Sequence, residues 1–342
     1  MPRLYKLSAL TIVSACALIT SACSGNSAGS TSSLTPVTFR TDYLFNGYLA
    51  PVAVAVQKGY FQQEGLNVKI GIGQGSATTI DTVASGRDQF GFATTDLVAA
   101  AITDHNVPIK VIAEYLQNNP NGIVYKKSET TGTVANIVQK GLTQISCAGC
   151  EGTALWVGVL KKDGYPTSKI KVENVSSAGQ ASAFLATKDA FMTAFGPGEA
   201  EEVQAKDPDV GFHSLANYGL VMMDDGLITS DAMIREHPHT VAAFVKGLTL
   251  GWEYSIKHPQ AAAKDATKYS QQPYSEVLAE LQETIHDFLH TKASQGLPLG
   301  ATAVSDWHAT LTLLKQIGVV TGPLKPLSDY YDGSFIPSHT SS

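Results

Sequence analysis

Between residues 37 and 115 the chain repeats one rhythm: a short apolar run, a loop rich in glycine or hydroxyls, then a stretch with helical spacing. Residues 37–40 alternate like a strand. Pro51 suits the first turn of a helix that runs to Gln57 and stops at Gly59. A second strand at 67–72 ends in Gly71-Ile-Gly-Gln-Gly75, with Ser76 as N-cap of a helix that carries Ile80, Val83 and Ala84. A third strand at 89–93 leads to Thr94 and Thr95, either of which caps the Ala-rich helix behind it, and a fourth spans 109–115. This alternation predicts an α/β protein with a largely parallel sheet.

After a short extended stretch at 122–126 the rhythm restarts. A helix at 153–162, a strand at 170–175, a helix at 180–187 and a strand at 191–195 are followed by a polar insert at 199–209. Residues 220–228 look like a crossing. Beyond Ser230, the stretches 231–237, 240–257, 261–269, 275–290 and 303–317 all carry helical apolar spacing. One α/β unit interrupted by another predicts two lobes joined by two crossover segments. The first lobe takes 36–124 and the mostly helical return 225–337; the second takes 125–224; 338–342 form a tail.

The N-terminus belongs to neither lobe. Arg3 and Lys6 precede an uncharged stretch, 7–22, that ends in small residues before Cys23. A basic start, a short apolar segment and small residues before a cleavage point read as a secretory signal at 1–22. That stretch falls short of the roughly 20 apolar residues of a membrane span. The cysteine after the small residues resembles a bacterial lipobox, so Cys23 is the expected lipidation site, with Cys16 as the alternative. Residues 23–35 (CSGNSAGSTSSLT) supply a flexible tether. The protein is therefore expected outside the cytoplasm, anchored to the membrane by lipid. A net charge of −6 without a basic block argues against nucleic acid as partner.

In open α/β sheets, ligands sit beyond the carboxyl ends of the strands. The loops there hold Asp42, Tyr43, Phe45, Asn46 and Tyr48; Gly75 and Ser76; Thr94, Thr95 and Asp96; Gln117 and Asn118; Thr153; and Phe195 and Glu199. A cleft lined by aromatics, amides and hydroxyls suits a small polar or heteroaromatic molecule. The Gly-x-Gly-x-Gly run lacks the spacing of a dinucleotide loop and more simply lets backbone approach a ligand. His286 and His290 share a zinc-compatible spacing, but no third ligand accompanies them. No metal or other cofactor is expected. Cys147 and Cys150 remain open to three readings: a redox pair, half a zinc site, or a disulfide that shapes the loop before Thr153. Export favours the disulfide.

Several of these stretches are similar to one family. KGYFQQEGL (58–66), GQGSATT (73–79), VASGRDQFGFA (83–93), QNNP (117–120), AFLATKDA (183–190) and IKHPQA (256–261) resemble, in order and spacing, the nitrate, sulfonate and taurine binding proteins and the thiamine-pyrimidine-precursor binding proteins. The pyrimidine branch is the better match, and the likeness covers about 36–337. It implies a type II periplasmic-binding-protein fold, without enzyme activity, that delivers solute to an ABC permease and its ATPase as a monomer. It also implies that Glu199 meets the amino edge of a pyrimidine-like ring. Asp42-Tyr43 and Asn46 match that branch, whereas Phe45 stands in place of a proline. Related pyrimidine synthases carry a cysteine-rich motif where this chain has Val221-Met222-Met223. A sulfonate or other small anion, or an enzyme of the synthase or thiol-oxidoreductase kind, are the alternative readings.

Overall fold

The computed structural model describes residues 34–147, 150 and 152–338. The expected signal at 1–22, the Cys23 anchor and its alternative Cys16, the tether up to residue 33 and the last four residues lie outside them. Among the described residues the apolar runs form ten strands in two five-stranded sheets. Chain order gives β1 (Thr35–Arg40), β2 (Leu66–Gly71), β3 (Phe90–Thr94) and β4 (Ile109–Glu114), then β5 (Asn121–Lys126), β6 (Thr143–Cys147), β7 (Lys171–Val175), β8 (Ala190–Phe195) and β9 (Val210–Ser214), and last β10 (Asp225–Ser230). The first sheet is ordered β2-β1-β3-β10-β4 and the second β7-β6-β8-β5-β9.

Both sheets are mixed rather than largely parallel. β1 runs parallel to β2 and β3, but β10 is antiparallel to β3 and β4. In the second sheet β6 is parallel to β7 and β8, while β5 is antiparallel to β8 and β9. The cause is connectivity. The chain leaves the first lobe at the carboxyl end of β4 and returns through β10, which must enter from that same edge and run the other way. The boundary also moves: β5, expected in the first lobe as far as residue 124, pairs wholly within the second sheet.

Two strands escape the sequence pattern. In β6, Gln144 and Ser146 are fully buried, so polar residues break the apolar signal of a central strand. The expected polar insert at 199–209 instead holds the helix Glu201–Lys206, and β9 follows it.

The two crossings, 116–120 and 220–224, are laced to each other. Asn119 N–H donates to Met222 O at 2.8 Å and Asp224 N–H to Leu116 O at 2.8 Å. The first lobe packs its sheet under the helices Ala50–Gln57 and Pro238–Lys257, where the rings of Phe61 and Phe90 stack on Phe244 at 4.7 and 4.0 Å. Contrary to expectation, the helical return does not stay on that lobe. Helix Val304–Ile317 packs on Thr95–His105 of the first lobe and on Gly152–Lys162 of the second. Its Trp307, Leu311, Leu314 and Ile317 share one buried cluster with Leu155, Trp156 and Val159.

Candidate binding cleft

The carboxyl ends of the two sheets face a common cleft of about 670 Å³, measured out to its open mouth. From the first lobe, the loop after β1 is pinned to the glycine run and helix that follow β2. Gly73 N–H donates to Thr41 Oγ1 at 2.7 Å, Thr79 Oγ1 to Thr41 O at 2.8 Å, and Gly75 N–H to Asp42 O at 2.8 Å. A Cβ on Gly73 would sit 2.0 Å from Thr41 O, and Gly75 holds φ at 121°, a region side chains disfavour. The glycine run therefore exists to lay one loop against another. Ser76 is the first residue of helix Ser76–Ala84 rather than its cap, and its Oγ accepts the Thr94 N–H at 3.1 Å.

Tyr48 donates its hydroxyl to Asp42 Oδ1, and its ring lies 5.2 Å from that of Phe195, which reaches over from the second lobe. Burial pushes the Asp42 carboxyl up to about 6, against the Tyr48 bond that pulls it down. Glu199 sits in the π-helical turn Gly196–Ala200 and accepts the Phe195 N–H at 3.0 Å. Burial raises it to about 7.

Nine of the expected residues line the cleft: Asp42, Tyr43, Asn46, Tyr48, Gly75, Ser76, Thr94, Phe195 and Glu199. Six do not. Phe45 is a core residue stacked on Tyr269 at 5.2 Å. Thr95 turns its hydroxyl to the buried Glu114 at 3.0 Å, and Asp96 is buried in the first turn of its helix. Gln117 donates to Ala301 O at 2.9 Å, and Asn118 to Asp287 O at 3.0 Å, so both tie the first crossing to the returning helices. Thr153 is satisfied by Ser146 Oγ at 3.0 Å, and the helix begins one residue earlier, at Gly152. Cys147 and Cys150 are joined in a disulfide with Cα atoms 5.4 Å apart; Cys147 is buried and Cys150 lines the cleft.

The sequence reading missed the floor of the site. Asp224, Asp225, Asn121, Gln180 and Thr193 also line it. Asp224 Oδ1 accepts from Asn119 Nδ2 at 2.7 Å and Asn121 Nδ2 at 3.1 Å. Burial, reinforced by neighbouring carboxylates, holds Asp224 and Asp225 well above the ordinary Asp range. A signal was present: two adjacent acids interrupt the otherwise apolar run from Leu220 to Ile228, where only a ligand or a partner makes such burial tolerable.

The protein-family model described as NMT1/THI5 like matches residues 46–262. The chain belongs to the NMT1/THI5-like family. Among relatives of this NMT1/THI5-like protein, the formylaminopyrimidine-binding protein of Halalkalibacterium halodurans is 22% identical over 304 residues, 87% of this chain and 90% of the relative. The 4-amino-5-hydroxymethyl-2-methylpyrimidine phosphate synthase of Aspergillus parasiticus is 25% identical over 239 residues, 67% of this chain and 69% of the relative. Among solved structures, the alkanesulfonate-binding protein SsuA of Xanthomonas axonopodis pv. citri superposes with a TM-score of 0.65 at 13% identity, covering 88% of this chain and 99% of that one. The fold is thus that of the periplasmic binding proteins, with two lobes and two crossovers.

Proposed function

We propose that this NMT1/THI5-like protein is the solute-binding component of an ABC import system, tethered outside the cell membrane by a lipid on Cys23. Its cargo is a small heteroaromatic bearing amino groups. As a monomer it hands that cargo to a permease powered by its ATPase. One observation carries the ligand class: Gln180 Oε1, Asp224 Oδ2 and Asp225 Oδ1, on residues that line the cleft, are buried acceptors without a hydrogen-bond partner in the protein. Buried acceptors of this kind call for donors. An amino-substituted ring supplies them, while its face meets Tyr48 and Phe195. Glu199 enters from the second lobe, so a ligand bridging it to Asp42 makes contacts available only when the lobes are closed. Such contacts shift the equilibrium towards closure.

A small anion fits less well. Helices begin at Ser76 and Gly152 on the cleft wall, and each N-terminus is worth about 0.3–1 kcal/mol to a negative charge. One ionised carboxylate at about 5 Å opposes that charge by roughly 3 kcal/mol at an effective dielectric of about 20. Four carboxyls line the cleft. Native mass spectrometry of the protein purified from its source tests the reading. A co-purifying amino-substituted ring compound is the expected result, and a ligand without a ring overturns it. Exchange of Cys23 for Ser is expected to release the protein from the membrane into the medium; retention there would remove the anchor.

A further inference from the structure

We propose that the ligand carries positive charge: a planar ring with an amine- or amidine-type group that stays protonated, its charged edge seated on Asp224 and Asp225. This deepens the solute-binding reading and rests on it. Three first-lobe carboxyls, Asp42, Asp224 and Asp225, and one from the second lobe, Glu199, face the cleft, and its described lining holds no Lys, Arg or His. Asp224 and Asp225 are 1% and 2% exposed, and each keeps one oxygen, Oδ2 and Oδ1 respectively, without a partner in the protein. Gln180 Oε1, on a residue 5% exposed, adds a third unpaired acceptor.

A neutral aminopyrimidine engages one carboxyl through its amino edge and leaves the other unpartnered oxygens of Asp224, Asp225 and Gln180 without donors. A cation matches them. Asp224 is prepared for this: Asn119 and Asn121 grip Oδ1, which fixes the carboxyl and leaves Oδ2 for cargo. The Tyr48 and Phe195 rings add faces that attract a cation.

Charge state gives a sign that other ligand classes do not share. In the empty cleft, burial favours the protonated form of Asp42, Asp224, Asp225 and Glu199, and Asp96, Glu114 and the Tyr48 hydroxyl stand around the first three. A bound cation favours their ionised form, so protons leave as it enters, and affinity grows with pH. An anion would need the carboxyls kept protonated, and its affinity would grow as pH falls.

Calorimetric titration of the exported protein with four probes decides it: benzamidine, its neutral isostere benzamide, benzenesulfonate, and 4-amino-2-methylpyrimidine, at pH 8 and pH 6. The expected result is benzamidine at least about tenfold tighter than benzamide at pH 8, with protons released to buffer and affinity lost at pH 6. The Asp225→Asn variant should erase that preference. Benzamide equal to benzamidine, or benzenesulfonate tightening at pH 6, overturns the proposal. If the aminopyrimidine binds and benzamidine does not, the charge assignment fails and the heteroaromatic reading stands. If no probe binds, both fail.

Discussion

Glu280 offers a measurable consequence of burying a carboxyl without a counter-charge. It lies on helix Tyr274–Glu283 of the first lobe, fully buried, where Oε2 accepts the Gly47 N–H and Oε1 accepts Gln272 Nε2 at 2.7 Å. Burial raises it from 4.5 to about 8 despite both bonds, with the charge of Glu199 adding to the rise. The folded state therefore holds a proton that the unfolded chain releases near its ordinary value. Stability falls as pH climbs from about 4.5 to about 8, by about 1.4 kcal/mol for each pH step between them. The full benefit is present below the lower value and gone above the upper one. Glu280→Gln keeps the size and an acceptor for Gly47 but cannot ionise. Measured by urea unfolding at pH 5, 6, 7 and 8, the variant should gain roughly 4 kcal/mol on the parent between the extremes. Asp42, Asp224 and Asp225 are common to both chains and cancel in the difference, while Glu199, which feels the Glu280 charge, contributes only through that coupling. Stability curves that stay parallel within about 1 kcal/mol would refute the reasoning, because Glu280 would then hold its proton no more tightly folded than unfolded.

The cleft and its surroundings carry three further expectations. Replacing Cys147 and Cys150 by Ser removes a very short closed loop worth about 2 kcal/mol by chain entropy. Calorimetry should show a larger loss in ligand affinity than in melting temperature; the reverse pattern would make the bridge a simple brace. Tyr48→Phe strips the hydroxyl from buried Asp42, which should cost roughly 1–3 kcal/mol in denaturant unfolding and raise the Asp42 value above about 6 by NMR titration. An unmoved Asp42 would count against that bond. Phe45→Ala should lose about 3–5 kcal/mol of stability while ligand affinity holds, because the ring packs on Tyr269 and not on the cleft. A selective loss of binding would return Phe45 to the site.

Elements with a clean apolar period were legible in the sequence alone. The helix beginning near Pro51 and strands β1 to β4 fall within a residue or two of their expected positions. What escaped was governed by tertiary context. β6 hides behind Gln144 and Ser146, polar residues whose burial only the neighbouring strands explain. Sheet direction escaped because it depends on where the chain returns, not on any local pattern. At the site, Asp42, Tyr48 and Ser76 do line the cleft, since the end of a strand fixes where the next loop must lie. Gln117 and Asn118 misled because their amides look ligand-like, yet the NH2 group of each is held by a carbonyl of the returning segment, Ala301 O or Asp287 O. Asp224 and Asp225 were passed over because a crossing reads as a linker, whereas here it forms part of the wall.

Helix Val304–Ile317 gives the molecule a rear and a front. At the rear, its Trp307 joins Trp156 of the other lobe in one dry layer, and parting that seam would wet both indoles. At the front, the turn Gly196–Ala200 meets helix Tyr274–Glu283 with Glu199 and Glu280 on either side, and a single ring, Phe195, lies against Tyr48. An opening that leaves this larger dry seam closed would swing the lobes about helix Val304–Ile317.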